Sequence, residues 1–116
     1  MIKRIMVFIL LAIACVGLVG CSSKKKVAMD DFIKAFGEKG ISVDEDNKPF
    51  FLMIGAADGV TFESDEKIVI YEYNSEKDLE KAQEDYKAVI KDWTSNGRFL
   101  LEAYNQDAVD IFNSVK

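Results

Sequence analysis

Histidine is absent from this chain. That single gap removes Ser-His-Asp and Cys-His catalysis, histidine general bases, and nearly all zinc and haem sites. Glycine-rich phosphate loops and dinucleotide fingerprints are missing as well. There is no internal repeat and no low-complexity tract. The acidic triplet Asp44-Glu45-Asp46, followed by Asn47, invites a hard cation. Its spacing is wrong for a calcium loop, which needs a Gly at the sixth position and a Glu at the twelfth. The chain therefore gives no reason to expect a metal or any other cofactor. Carboxylate chemistry of the glycosidase kind remains open in principle. It requires a cleft, and the acids here fall at helix starts, turns and outer helix faces where solvation accounts for them. The expectation is a protein that is not an enzyme.

Long apolar runs are scarce too. Ile5 to Val19 is uncharged over fifteen residues and follows Lys3-Arg4. A membrane-spanning helix needs about 20 apolar residues and a secretory h-region about 7–15. The run reads as a signal segment. It closes on Leu18-Val19-Gly20-Cys21, which resembles the bacterial lipobox at every position. The resemblance implies that the Cys21 thiol carries a diacylglyceryl group and that the chain is cut between Gly20 and Cys21. Thiolate nucleophilicity is why that chemistry needs Cys. Cys15 would leave with the signal, so the mature chain would hold no disulfide and no free thiol nucleophile. Two acyl chains anchor stably where one is marginal. The partner implied is the cell membrane, on its extracytoplasmic face.

The domains expected are a signal peptide over residues 1–20, an acylated Cys with a basic tether over 21–26, and a small domain over 27–116. The tether reaches at most about 20 Å. Its lysines suit an anionic bilayer. From Val27 onward 10 basic residues face all 20 acids, a net charge of −10. Phosphate contacts supply most nucleic-acid affinity, so so acidic a domain is not expected to bind nucleic acid.

Met29, Phe32, Ile33 and Phe36 make one stripe of a first helix over residues 27–39. Ile41-Ser42-Val43 is a weak strand candidate. Phe50 to Ile54 reads as a buried strand, because it is continuously apolar. Val60-Thr61-Phe62 and Ile68 to Tyr73 follow as strands. Ser75 and Asp78 open a helix with a capping-box pattern. Its stripe is Leu79, Ala82, Tyr86, Val89, Ile90 and Trp93, with Trp93 expected at its buried end. Arg98 to Tyr104 is a further strand, and Asn105 caps a last helix. The order α-β-β-β-β-α-β-α predicts an α+β fold: an antiparallel sheet of about four strands with helices on one face.

Ile54-Gly55-Ala56-Ala57-Asp58-Gly59, Val69-Ile70-Tyr71-Glu72-Tyr73 and Asn96-Gly97-Arg98-Phe99 are similar to stretches of small lipoproteins of low-GC Gram-positive bacteria. That resemblance implies a bacterial surface setting and no activity. The functional expectation is a non-catalytic binding or interaction module. A small-molecule carrier, with a pocket between sheet and helices, and a regulator or inhibitor of a nearby membrane enzyme are the alternatives. Tyr71, Tyr73 and Tyr104 form the candidate binding face for a protein, peptide or glycan. They face outward if the helices cover Ile68 and Ile70, and are packed if helices lie on their own side.

Overall fold

The computed structural model describes residues 27–116. The signal segment, Cys21 and the tether lie outside the described residues. Helix α1 spans Met29–Glu38. Asp31 reaches back to accept the Ala28 N–H at 2.8 Å, which satisfies one donor of the open helix start. The helix stops where Gly40 takes φ +83°. There the Ile41 N–H bonds the Phe36 carbonyl and the Gly40 N–H bonds the Gly37 carbonyl, both at 2.9 Å. This pair is the Schellman arrangement, which only a residue tolerant of positive φ completes without strain.

The sheet holds four strands: β1 (Asp58–Thr61), β2 (Ile68–Glu72), β3 (Thr94–Asn96) and β4 (Phe99–Ala103). Their order in space is β1-β2-β4-β3, with every neighbouring pair antiparallel. Helix α2 (Glu76–Asp85) and the one-turn helix α3 (Lys87–Ile90) precede β3, and α4 (Gln106–Ser114) closes the chain. The Ser75 hydroxyl caps α2 by accepting the Asp78 N–H at 3.1 Å. Asn105 caps α4 through the Ala108 N–H at 2.7 Å. The fold is α+β on an open antiparallel sheet of four strands.

Helices cover both faces of that sheet, not one. Ile68, Ile70, Phe99 and Leu101 pack with Phe32 and Phe36 of α1 and Phe112 of α4. Val69, Tyr71 and Leu100 pack on the other side with Leu79, Ala82 and Ile90 of α2 and α3. The reason lies in β2 and β4, which are apolar at successive positions and so present two faces that need cover. Among the described residues, all four strands and both cores are built from side chains between residues 27 and 116.

Three further segments differ from expectation. Ile41–Val43 contributes only a single bridge, Val43 to Phe62. Phe51–Ile54 is a 3₁₀ turn, not a strand. Periodicity cannot separate the two in a short apolar run. Gly55 at φ +72° ends the turn, with its N–H on the Leu52 carbonyl at 3.1 Å. The helix expected from Ser75 to Trp93 breaks at Tyr86 (φ −117°, ψ 25°), whose ring sits against Gly55.

Strand β3 is short and polar and gave no alternation signal. It pairs with β4 across Gly97-Arg98, where Gly97 takes φ +62°. Asn96 in β3 donates its side-chain amide to the Phe112 and Val115 carbonyls at 3.0 and 2.9 Å, which closes the open C-terminal end of α4. Asn96→Ala leaves both carbonyls short of a donor. It is expected to lower stability by about 1–3 kcal/mol, read as a shift in the urea midpoint.

Candidate functional site

The tyrosine face does not form. Tyr71 and Tyr73 are buried, while Tyr104 stands 75% exposed after β4. Packing of α2, α3 and the 3₁₀ turn on this side of the sheet is the cause. Each buried hydroxyl has a partner, as burial demands. Tyr73 donates to the Ile54 carbonyl at 2.8 Å and so ties the 3₁₀ turn to the sheet. Tyr71 donates to Glu102 Oε1 at 3.1 Å, and its ring lies parallel to Trp93 with centroids 5.8 Å apart.

Burial pushes the Tyr73 hydroxyl up to about 12, helped by the nearby Tyr86. Burial raises Tyr71 further, and the Glu102 charge and hydrogen bond add to it. An unfolded tyrosine ionises near 10. Above that pH the unfolded chain loses protons that the folded chain keeps. The contribution of these groups to stability is complete below about pH 10 and is lost as pH rises toward and beyond 12. The urea midpoint should fall between pH 9.5 and 11.5, about those values by the same linkage, and fall less in Tyr71→Phe/Tyr73→Phe.

Above the Tyr71 and Trp93 rings lies an open cleft of about 500 Å³. That volume falls within the range of small-ligand sites. The 3₁₀ turn and α3 form its two lips. Phe50, Met53 and Val89 stand on them at 71%, 65% and 60% exposure, large apolar groups left in water. Half-buried Trp93 makes a wall, and Ile54, Val69 and Tyr71 line the depth.

The outward set on the turn follows from its three-residue period. Phe51 and Ile54 eclipse and point at the sheet, so Phe50, Leu52 and Met53 are turned out. The turn can lie low because Gly59 of β1 has no side chain. A Cβ there would come within 2.6 Å of the Pro49 ring, 3.3 Å of Phe51 Cβ and 3.3 Å of the Tyr71 ring.

The polar groups of the cleft gather around β1, β2 and β4. Glu102 is the one charged residue buried among those described. Beyond the Tyr71 hydroxyl it meets Lys67 Nζ at 3.3 Å. Lys48 Nζ bonds Asp58 Oδ1 at 2.6 Å. Asp58 also accepts the Gly59 N–H at 2.8 Å. Burial works to raise the Asp58 carboxyl, but Lys48 and that N–H together outweigh it and hold it below the usual range. Both ammonium groups remain more than half exposed, with further N–H donors free for a ligand.

A second concavity of similar volume lies between α1 and α4, lined by Lys39, Ile41, Asp107, Asp110, Ile111 and Ser114. Among the described residues that line it there is no aromatic side chain and no buried polar group. The acidic turn at Asp44 is internally satisfied: its carboxylate accepts the Asp46 N–H and the Asn47 side-chain amide at 3.3 and 2.6 Å. Among the described residues no cluster of three acids or other ligating side chains converges to hold a metal.

The sequence signals for the cleft were present but easily misread. Trp93 counts as a core residue by helical spacing, yet it sits past the end of α3. Glu102 is a lone acid within Phe99-Leu100-Leu101-Glu102-Ala103, and such an interruption marks a polar spot on an otherwise buried strand. No family model matches the chain, and no curated protein or solved structure matches it either.

Proposed function

We propose that this chain is a lipoprotein held on the extracytoplasmic face of the cell membrane by a diacylglyceryl group on Cys21, and that its domain is a non-catalytic binding module. The lipobox-like Leu18-Val19-Gly20-Cys21 after an h-region of fifteen residues supports the anchor. The observation that carries the binding reading is the cleft itself. Three large apolar side chains are held in water around a half-buried tryptophan, over a floor whose hydroxyl and carboxylate are paired. Exposed apolar groups that converge on a concavity lower the free energy when a partner covers them.

A single carboxylate lines the cleft, and Lys67 and Tyr71 already engage it. Among the described residues the next acid, Asp58, lies outside the lining and is held by Lys48, which does not favour a two-carboxylate mechanism. The volume also favours the carrier form of the reading, in which the occupant is a small molecule and not a protein.

The test places a photo-crosslinking residue at Met53 in the full chain in its own membranes, and a second at Asp110 on the α1–α4 side. The module reading expects adducts from Met53 only, and their loss when Cys21→Ser releases the chain from the membrane. Equal adducts from both positions would contradict the site. Adducts unchanged by Cys21→Ser would contradict the anchor.

A further inference from the structure

We infer that the cleft takes a small amphipathic anion, an alkyl or aromatic body ending in a carboxylate or similar head. The inference rests on the cleft being the binding site and adds the class of its ligand. The apolar half of that ligand would lie on Phe50, Met53, Val89 and Trp93. These are flat or flexible groups, and the Met thioether adapts readily to irregular chains. The polar half would meet Lys48, Lys67 and the hydroxyl of Thr61, which line the same cleft.

The choice of an anion follows from which polar groups are already engaged. Glu102 is only 11% exposed and holds Lys67 and the Tyr71 hydroxyl. Asp58 holds Lys48 and the Gly59 N–H. Glu102 is the one acid among the described residues that lines the cleft, and both its oxygens already accept, so an incoming ammonium would have to share a charge that Lys67 already neutralises. An incoming carboxylate displaces nothing. It accepts from N–H donors that Lys48 and Lys67, at 57% and 59% exposure, leave to water. The domain's charge of −10 opposes any anion at long range. That field is screened over roughly 10 Å at 0.1 M salt, so the two lysines at contact distance decide.

Trp93 is the only tryptophan, so its emission reports on the cleft alone. Residues 21–116 carrying Cys21→Ser are titrated with dodecanoate, dodecyltrimethylammonium and dodecyl maltoside, each below micelle formation. Dodecanoate is expected to shift the emission saturably, and the ammonium to bind about tenfold more weakly or worse. Lys48→Gln/Lys67→Gln should weaken dodecanoate by about tenfold, and Lys48→Gln with Lys67→Arg by less. If the double variant loses its far-ultraviolet dichroism, Lys48→Gln alone carries the test, because that side chain is over half exposed.

Equal binding of all three amphiphiles, or a double variant that folds and binds dodecanoate unchanged, overturns the anion and leaves the cleft standing as a site. No response to any of the three overturns both. A response to phosphatidylglycerol vesicles with none to monomeric dodecanoate would assign the surface to the bilayer and also overturn the proposal.

Discussion

Phe32→Ala is expected to lower the unfolding free energy by about 3–5 kcal/mol. Phe32 is fully buried on α1. Its ring lies 4.7 Å from that of Phe99 on β4 and 4.9 Å from that of Phe112 on α4, centroid to centroid. One side chain thus joins the first helix, the sheet and the last helix. Truncation leaves a hole lined by two other rings that cannot both move into it. The segment after α1 makes only one bridge, so aromatic packing of this kind, with Phe36 on Phe62 as its second instance, holds α1 in place. Small domains have total stabilities of about 5–15 kcal/mol, so this variant should stand close to unfolding at ambient temperature. Urea denaturation measures the effect. The comparison is Leu52→Ala on the 65% exposed side of the 3₁₀ turn, which should change stability by less than about 0.5 kcal/mol. Equal losses in the two would mean that α1 does not depend on this cluster.

Gly59→Ala should destabilise by about 1–3 kcal/mol and disturb the cleft at the same time. The added methyl would press on the Pro49 ring at 2.6 Å and on Phe51 and Tyr71 at 3.3 Å. Tyr71 is pinned from the other side by Trp93 and by Glu102, so the Pro49–Phe51 segment must yield. That segment carries Phe50 and leads to Met53, the outer lip. The variant is therefore expected to shift Trp93 emission and to weaken binding of any occupant, even where the fold survives. A substitution on an outer sheet position, such as Ser95→Ala in β3, should do neither. If Gly59→Ala keeps full stability and an unchanged Trp93 spectrum, the turn is not seated on β1 as described.

Much of this architecture is legible in the sequence, for identifiable reasons. Helix α1 and helix α4 show clean apolar stripes, with Asp31 in the first turn of α1 and the cap Asn105 before α4, and Gly40 marks the stop of α1. Strand β2 announces itself by four successive apolar or β-favouring residues, Ile68 to Tyr71, after a polar turn. The antiparallel pairing of β1 with β2 follows from the short polar connection between them. Elements that depend on contact and not on pattern are the ones that escape. Phe50 to Ile54 is as apolar as a core strand. Only Pro49 before it and the left-handed Gly55 after it compress it into a turn that faces half its side chains outward. Thr94-Ser95-Asn96 has no hydrophobic alternation because β3 is an edge strand, and its main duty is the Asn96 clamp on α4.

The placement of the tyrosines is not legible for a related reason. Both faces of β2 are apolar, and spacing alone does not say how many helices cover them. Placing every helix on the Ile68/Ile70 side leaves Tyr71 and Tyr73 outside; the break at Tyr86 and the low 3₁₀ turn put cover on their side instead. The aromatic content that suggested a binding face is partly real, since Tyr71 still lines the depth of the cleft. Its exposed members are different residues, Phe50 and Trp93 with Met53 and Val89. Tyr104 remains as the isolated third member of the original set.

Hydroxyl-radical footprinting of the full chain in its native membranes, beside residues 21–116 with Cys21→Ser in solution, tests the central claim most directly. Methionine and tryptophan oxidise readily when exposed, and Met53 and Trp93 both line the cleft. An occupied cleft predicts that oxidation at Met53 and Trp93 falls in the membrane-bound chain while Tyr104, exposed and outside the lining, stays as reactive as before. Unchanged oxidation at Met53 and Trp93 together with protection at Tyr104 would contradict the account and return the binding surface to Tyr104.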